Sequence, residues 1–136
     1  MTPVAGFFFY GTLCDAEVRA RVLGAAAAGL ELVPAVAPGW RAVYACGRAY
    51  PVLVPGRGDA APGVLARSLD RDGVRRLIAY EGAGYRVSRV TVRLADDSRV
   101  AAGVFLPRRR LRPGARRFDL AAWQRAQRAR YLKRFA

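Results

Sequence analysis

Acid–base chemistry in this 136-residue chain depends on few side chains, because the sequence contains no histidine and only 10 aspartate and glutamate residues. The missing histidine excludes a Ser-His-Asp triad, a Cys-His pair and every zinc site with histidine ligands. Two cysteines, Cys14 and Cys46, cannot form a structural zinc site alone and are too few for a disulfide scaffold. Proton transfer near neutral pH must therefore use a carboxylate, a tyrosine, a cysteine or Lys133, the single lysine.

Glu81 is the carboxylate with the most unusual sequence environment. Val74, Ile78 and Glu81 follow one another at helical spacing, which places the acid on an apolar helix face. A carboxylate on a core-facing surface is costly unless it is paired or takes part in chemistry. Two interpretations follow: Glu81 forms an ion pair with Arg86 or Arg89, or it serves as an acid or base in a functional site.

The tetrapeptide Tyr10-Gly11-Thr12-Leu13, which ends an apolar run, is the second feature with chemical potential. A buried strand that ends at a glycine turn before a helix exposes backbone N–H groups, and these can bind a carboxylate or an oxyanion. An ordinary turn between a strand and a helix would give the same pattern. Cys14 follows directly, and a helix start can lower a thiol pKa, so a thiol nucleophile is an alternative chemistry.

The elements that position these residues alternate irregularly along the chain. Apolar or alternating stretches predict strands over residues 4–10, 30–36, 40–46, 52–54, 63–69, 85–94 and 99–106. Helical periodicity and capping residues predict helices over residues 16–24, 70–81 and 120–135. Residues 56–62 are predicted as an exposed loop and residues 107–117 as a basic linker. This order differs from a doubly wound sheet, so we expect an α+β fold with a small, mixed, barrel-like sheet and flanking helices.

Positive charge is concentrated at the end of the chain. The 24 lysine and arginine residues outnumber the acids and give a formal net charge of +14. From Arg108 onward the only acid is Asp119. Such a tail is typical of contacts with nucleic acid or another polyanion. Two other interpretations stay open: the last helix docks on the body of the protein through Trp123, Tyr131 and Phe135, or it forms a homodimer.

The sequence carries no pattern that predicts a membrane span or an export signal. No apolar run reaches the ~20 residues that cross a bilayer, and residues 4–10 lack a preceding basic flank. Two cysteines without a scaffold pattern indicate a reducing compartment. We therefore expect a cytoplasmic protein.

Several segments together resemble the gamma-glutamylcyclotransferase-like family. They are the run FFFYGTL at residues 7–13, Tyr50-Pro51, Gly63-Val64-Leu65, the stretch LIAYEG at residues 77–82, and Tyr85. Members of that family carry a YGTL-type loop after the first strand and a segment of the form L-D-x-Y-E-G followed by Y-x-R. The resemblance covers residues 4–106 of this chain, and it implies a small α+β domain around a barrel-like sheet.

The resemblance also implies an activity. A family member of this kind is a cyclotransferase that converts a γ-glutamyl amide or γ-glutamyl-amine to 5-oxoproline and releases the amine. The small-molecule γ-glutamyl substrate is then the partner, and no cofactor or metal takes part. Glu81 takes the role of general base and acid, and the substrate-binding residues are Tyr10, Gly11, Thr12, Leu13 and Tyr85. Residues 1–106 form the implied domain. The basic linker and helix of residues 107–136 lie outside the resemblance, and we expect them to pack on this domain.

The chain departs from the family pattern at two positions. Ile78 stands where aspartate is usual, and Val87 stands where arginine is usual. These departures favour an alternative function, a binding module of the same fold with weak or lost catalysis that contacts a polyanion through its arginine-rich tail. No pattern in the sequence encodes the identity of the leaving amine.

Overall fold

The computed structural model describes residues 5–135, so Val4, the first residue of the first predicted strand, lies outside the described residues. The strands are β1 (Phe7–Phe9), β2 (Glu31–Ala45), β3 (Pro51–Arg67), β4 (Tyr85–Leu94), β5 (Arg99–Pro107) and β6 (Pro113–Arg117). The helices are α1 (Ala16–Leu23), α2 (Arg71–Glu81), α3 (Leu120–Ala126) and α4 (Arg128–Leu132), and short 3-10 turns cover Thr12–Cys14, Gly24–Ala27 and Lys133–Phe135. None of the helices within residues 5–135 is both long and apolar enough to cross a membrane.

Five of the strands close into a barrel. The hydrogen-bonded order is β3-β1-β5-β4-β2, and β2 pairs again with β3 to complete the ring. Strand β6 adds to β2 outside this ring. The β1–β5 pair is parallel and the other pairs are antiparallel, so the sheet is mixed. The predicted α+β fold with a barrel-like sheet and flanking helices is confirmed.

The three consecutive phenylalanines of β1 are buried on both faces of the sheet. Successive side chains in a strand point to opposite faces. Phe8 therefore joins a cluster drawn from the strands, whereas Phe7 and Phe9 join a second cluster that includes the helices. The neighbouring strands supply glycines beside these rings: a Cβ at Gly103 would lie 2.8 Å from the Phe7 ring, and a Cβ at Gly63 would lie 2.1 Å from the Phe9 carbonyl oxygen.

Strands β2 and β3 form one long hairpin, with 15 and 17 residues in its two strands. The sequence pattern predicts several shorter strands over the same residues. Their pairing runs from Glu31 opposite Arg67 to Tyr44 opposite Pro51, with a register shift between Pro38 and Trp40. The predicted loop at residues 56–62 is wrong, because this segment belongs to β3. Backbone pairing with β2 holds it extended, and that pairing does not require the apolar side chains on which the sequence pattern depends.

The C-terminal segment packs on the barrel. The predicted linker contains β6, and the predicted last helix is divided at Gln127 into α3 and α4. The Trp123 side chain is fully buried, and its indole N–H donates to the Ala49 carbonyl oxygen at 2.8 Å. Gln124 and Arg128 donate to the buried Asp15 carboxylate at 2.9 and 2.7 Å. These contacts fix the tail beside the start of α1.

Candidate active site

The loop after β1 lines a cavity with Gly11, Thr12 and Leu13. It forms a 3-10 turn, in which the Cys14 N–H donates to the Gly11 carbonyl oxygen at 2.9 Å. Within residues 5–135, the N–H groups of Gly11, Thr12 and Leu13 make no hydrogen bond, as expected for the first turn of a helix. The Arg19 guanidinium donates to the carbonyl oxygens of Leu13 and Cys14 at 3.0 and 2.9 Å, which holds the turn in place.

Glu81 is the last residue of α2. Asp70 caps the start of this helix by accepting a hydrogen bond from the Gly73 N–H at 2.7 Å, and Gly82 ends it. Leu77, one turn before Glu81, is fully buried and fixes which face of α2 meets the barrel. Among residues 5–135, no group forms a hydrogen bond or an ion pair with the Glu81 carboxylate. Burial raises the pKa of Glu81 from 4.5 to about 8. The ion pair with Arg86 or Arg89 is therefore not formed.

Glu81 and the loop line one cavity of about 100 Å³. All of the residues that the sequence predicts for the site lie on its wall: Tyr10, Gly11, Thr12, Leu13, Glu81 and Tyr85. The other lining residues are Phe8, Phe9, Tyr50, Pro51, Tyr80, Phe105, Tyr131 and Arg134. The cavity thus joins the end of β1, the end of α2, the start of β3 and the C-terminal tail.

Tyrosine hydroxyls surround the cavity and are held by hydrogen bonds. Tyr10 donates to the Phe105 carbonyl oxygen at 2.6 Å, and Tyr85 donates to the Pro51 carbonyl oxygen at 2.7 Å. Burial, with a smaller effect of the Glu81 charge, raises the pKa of Tyr10 well above its ordinary value. Burial likewise raises the pKa of Tyr85. These phenols stay protonated and act as donors, and Glu81 is the carboxylate on the described cavity wall.

Tyr80 connects the binding loop to the tail. Its hydroxyl shares a hydrogen bond of 2.7 Å with the Thr12 hydroxyl, and it also bonds to the Tyr131 hydroxyl. Burial raises the pKa of Tyr80 as well. The chain of hydroxyls positions one side of the cavity next to Glu81.

The Cys14 thiol is held by the backbone next to the loop. It donates to the Phe9 carbonyl oxygen at 3.1 Å. Burial raises the pKa of Cys14 to about 12, the opposite of the lowering that a helix start gives. The predicted lowering of the Cys14 pKa is therefore wrong, and the residues that line the cavity do not include Cys14. Residues 5–135 also contain no cluster of histidine, cysteine and acidic side chains that could hold a metal ion.

Sequence reasoning missed Tyr80, Phe105, Tyr131 and Arg134 as cavity residues. Tyr80 precedes Glu81 directly, and adjacency to the candidate acid was the available signal. The sequence predicts that Tyr131 docks the last helix on the body of the protein, but it does not predict that Tyr131 lines the cavity. No local pattern distinguishes Arg134 from the other tail arginines.

Neither departure from the family pattern lies on the cavity wall. Ile78 and Val87 are each 50% exposed. Ile78 was expected to share the core-facing side of α2 with Glu81, but it lies ~100° around the helix from the fully buried Leu77, at the solvent edge of the apolar stripe. Among described residues, neither side chain touches the predicted site.

Several tail arginines contact groups of the protein itself. The guanidinium of Arg108 donates to a backbone oxygen, the guanidinium groups of Arg116 and Arg134 lie over tyrosine rings, and Arg117 and Arg128 pair with Asp59 and Asp15. These five of the eleven basic residues from position 108 onward therefore have structural partners.

A closed five-stranded barrel in which a helix-terminal glutamate and a strand-end loop line one small cavity defines a class of small α+β proteins. The family model described as "Gamma-glutamyl cyclotransferase, AIG2-like" matches residues 7–125, and the chain belongs to this family.

Solved structures agree with this assignment. The Arabidopsis thaliana protein At5g39720.1 has a TM-score of 0.68 and 25% identity, over 95% of this chain and 86% of that protein. A mouse AIG2-like protein has a TM-score of 0.65 and 20% identity, over 87% and 90% of the two chains. A gamma-glutamyl cyclotransferase has a TM-score of 0.63 and 16% identity, over 75% and 65%. No curated protein matches the chain.

Proposed function

We propose that the protein is a cyclotransferase that converts a γ-glutamyl amide or γ-glutamyl-amine to 5-oxoproline and releases the amine, with Glu81 as general base and acid. One observation carries the proposal: the Glu81 carboxyl has no partner among residues 5–135, and Glu81 lines the same cavity as Gly11, Thr12 and Leu13, whose backbone N–H groups are unbonded. Family membership supports the same reaction class.

The reaction needs no enzyme nucleophile, which suits a chain without histidine. The substrate's α-ammonium loses one proton to the Glu81 carboxylate, and the resulting amine attacks the γ-carbonyl carbon to close a five-membered ring. The ring nitrogen loses a second proton, and Glu81 transfers protons to the leaving nitrogen as its bond to the carbonyl carbon breaks. The two protons lost by the attacking nitrogen end on the released amine, and no water is consumed.

The pKa of Glu81 suits this relay. A carboxylate with an ordinary pKa near 4.5 is a weak base toward an ammonium group. A pKa of about 8 brings the pKa of Glu81 closer to that of the substrate ammonium, so proton transfer between them is easier. The same group, once protonated, can then donate to the leaving nitrogen. General acid–base catalysis of this kind typically contributes ~10²–10⁴-fold.

The loop N–H groups supply the complementary electrostatic element. The γ-carbonyl oxygen becomes an oxyanion when the ring closes, and preorganised N–H donors stabilise it. The contacts of Arg19 with the loop carbonyls fix these donors before the substrate binds. Loss of one such donor typically costs about 3 kcal/mol of transition-state stabilisation.

The dimensions of the cavity favour a small bound group. A volume of about 100 Å³ is well below the ~300–1,000 Å³ of pockets that enclose drug-sized ligands. We infer that the cavity encloses the folded glutamyl group, amine against carbonyl, and that the leaving group extends toward solvent. Enclosure of this conformation lowers the barrier by proximity.

The direct test is to incubate the protein with γ-glutamyl dipeptides and γ-glutamyl-amines and to measure 5-oxoproline. We expect kcat/KM to rise with pH through about 8, as Glu81 ionises. Glu81→Gln should lower kcat by at least 10²-fold. Glu31→Gln, a surface change of the same charge, should leave it unchanged. Full activity in the Glu81 variant would refute the mechanism.

A further inference from the structure

Arg134 is a cation at the edge of the cavity with no acidic partner among residues 5–135. Its guanidinium carbon lies 4.6 Å from the centroid of the Tyr131 ring and 5.9 Å from that of the Tyr80 ring. The side chain is exposed, unlike the phenylalanines and Tyr10 that form the deeper wall. Two aromatic rings therefore hold one arginine at the outer rim of the cavity.

The Arg134 guanidinium lies over these rings and forms no hydrogen bond or ion pair with another residue among 5–135, so its planar set of N–H donors is free. These donors match a carboxylate, which can accept two parallel hydrogen bonds from them. Glu81 does not use them, because no ion pair joins the two side chains and burial alone accounts for the raised pKa of Glu81. The fixed donors are thus available to a ligand.

The proposed reaction determines which part of a substrate lies under Arg134. Glu81 must reach the leaving nitrogen to protonate it, so the substituents of that nitrogen lie near Glu81 and its neighbour Tyr80. Arg134 lies over the Tyr80 ring on the exposed side. Because the cavity is too small for more than the glutamyl group, those substituents extend toward the rim.

Resting on the proposed function, we propose that Arg134 is a specificity-determining residue that binds a carboxylate of the leaving group. The substrate class is then γ-glutamyl-amino acids or γ-glutamyl peptides with a carboxylate near the scissile amide, in preference to γ-glutamyl compounds of uncharged amines.

A matched pair of substrates tests this assignment. γ-Glutamylalanine and γ-glutamylethylamine differ only in the carboxylate on the leaving group. The wild-type protein should favour γ-glutamylalanine about tenfold in kcat/KM, chiefly through KM, and added salt should weaken the preference because the contact is exposed. Arg134→Gln should lose the tenfold advantage, so that kcat/KM for γ-glutamylalanine falls about tenfold relative to kcat/KM for γ-glutamylethylamine.

Two further variants distinguish a direct contact between Arg134 and the substrate carboxylate from an effect of the net charge of the tail. Arg130→Gln removes the same charge from the same tail but does not line the cavity, so the preference should persist. Arg134→Lys keeps the charge without the planar fork and should restore part of the preference.

The outcomes are distinct. If Arg134→Gln lowers kcat/KM equally for both substrates, the residue binds the carboxylate that both share or only supports the tyrosines, and the assignment is overturned. If Arg134→Gln changes neither substrate, or if Arg130→Gln has the same effect, the assignment is also overturned while the cyclotransferase activity stands. If the wild-type protein releases 5-oxoproline from neither substrate, the proposed function fails, and this inference fails with it.

Discussion

Replacement of Glu81 by glutamine should remove activity and stabilise the folded protein at alkaline pH. The folded-state pKa of about 8 lies above the ordinary value of 4.5. The folded protein therefore binds one more proton than the unfolded chain between these values, and the stability of the wild-type protein falls as pH rises from about 4.5 through about 8. Glutamine does not titrate, so the variant escapes this loss.

The magnitude follows from the same interval. At 1.36 kcal/mol for each pH unit, the interval from 4.5 to about 8 corresponds to about 5 kcal/mol. Water in the open cavity screens the ionised carboxylate, so we expect a difference of about 3–5 kcal/mol at pH 9. For a domain of this size that is roughly 10–20 °C in Tm. At pH 5, where both side chains are neutral in the folded state, the variant and the wild-type protein should be nearly equal.

Thermal and urea unfolding of the wild-type protein and of Glu81→Gln at pH 5, 7 and 9 measures this difference in stability. Glu31→Gln is the matched control, because Glu31 lies on the surface beside Arg67 and its loss should give a small difference that does not grow with pH. A Glu81 variant whose stability relative to wild type stays constant from pH 5 to pH 9 would show that the carboxyl is solvated, and the proposed base would lose its physical support.

Three other perturbations test the frame of the site. Gly11→Ala places a Cβ 2.6 Å from the Pro51 side chain, so the loop must shift, and we expect more than tenfold loss of kcat/KM with about 1–3 kcal/mol of destabilisation in urea unfolding. Asp15→Ala removes the cap of α1 and the acceptor of Arg128, at a cost of about 3 kcal/mol. Burial acts to raise the pKa of Asp15, but hydrogen bonds from Gln124 and Val18 and the Arg128 charge hold it below its usual value, so this cost should shrink as pH falls below about 4. Trp123→Ala should cost about 3–5 kcal/mol and lower 5-oxoproline release, because the fully buried indole supports Tyr131.

The sequence could predict the two principal walls of the cavity because each has a local signal. A helix-face carboxylate is visible from spacing, and a glycine turn after a buried strand is visible from composition. The caps Asp15 and Asp119 are likewise local, and both accept the hydrogen bonds expected of a helix cap.

The remaining wall could not be predicted because it depends on contacts between distant residues. Tyr131 meets Tyr80 across 51 positions of sequence, and the Trp123 indole meets Ala49 across 74. Strand β6 and the middle of β3 are rich in arginine, glycine and proline, and partner strands rather than side-chain preference hold them extended. The periodicity of apolar residues indicates which face of an element is buried, but it does not indicate which strands pair with each other.

The two glycines that flank the phenylalanine strand differ in how evolution can replace them. A methyl group at position 103 would meet the ring of Phe7. If a smaller residue first replaces Phe7, alanine can then replace Gly103. A methyl group at Gly63 meets the carbonyl oxygen of Phe9, and no exchange of side chains removes a backbone atom. Gly103 can therefore be replaced only after Phe7 has been replaced, whereas no earlier side-chain substitution makes room for a Cβ at Gly63.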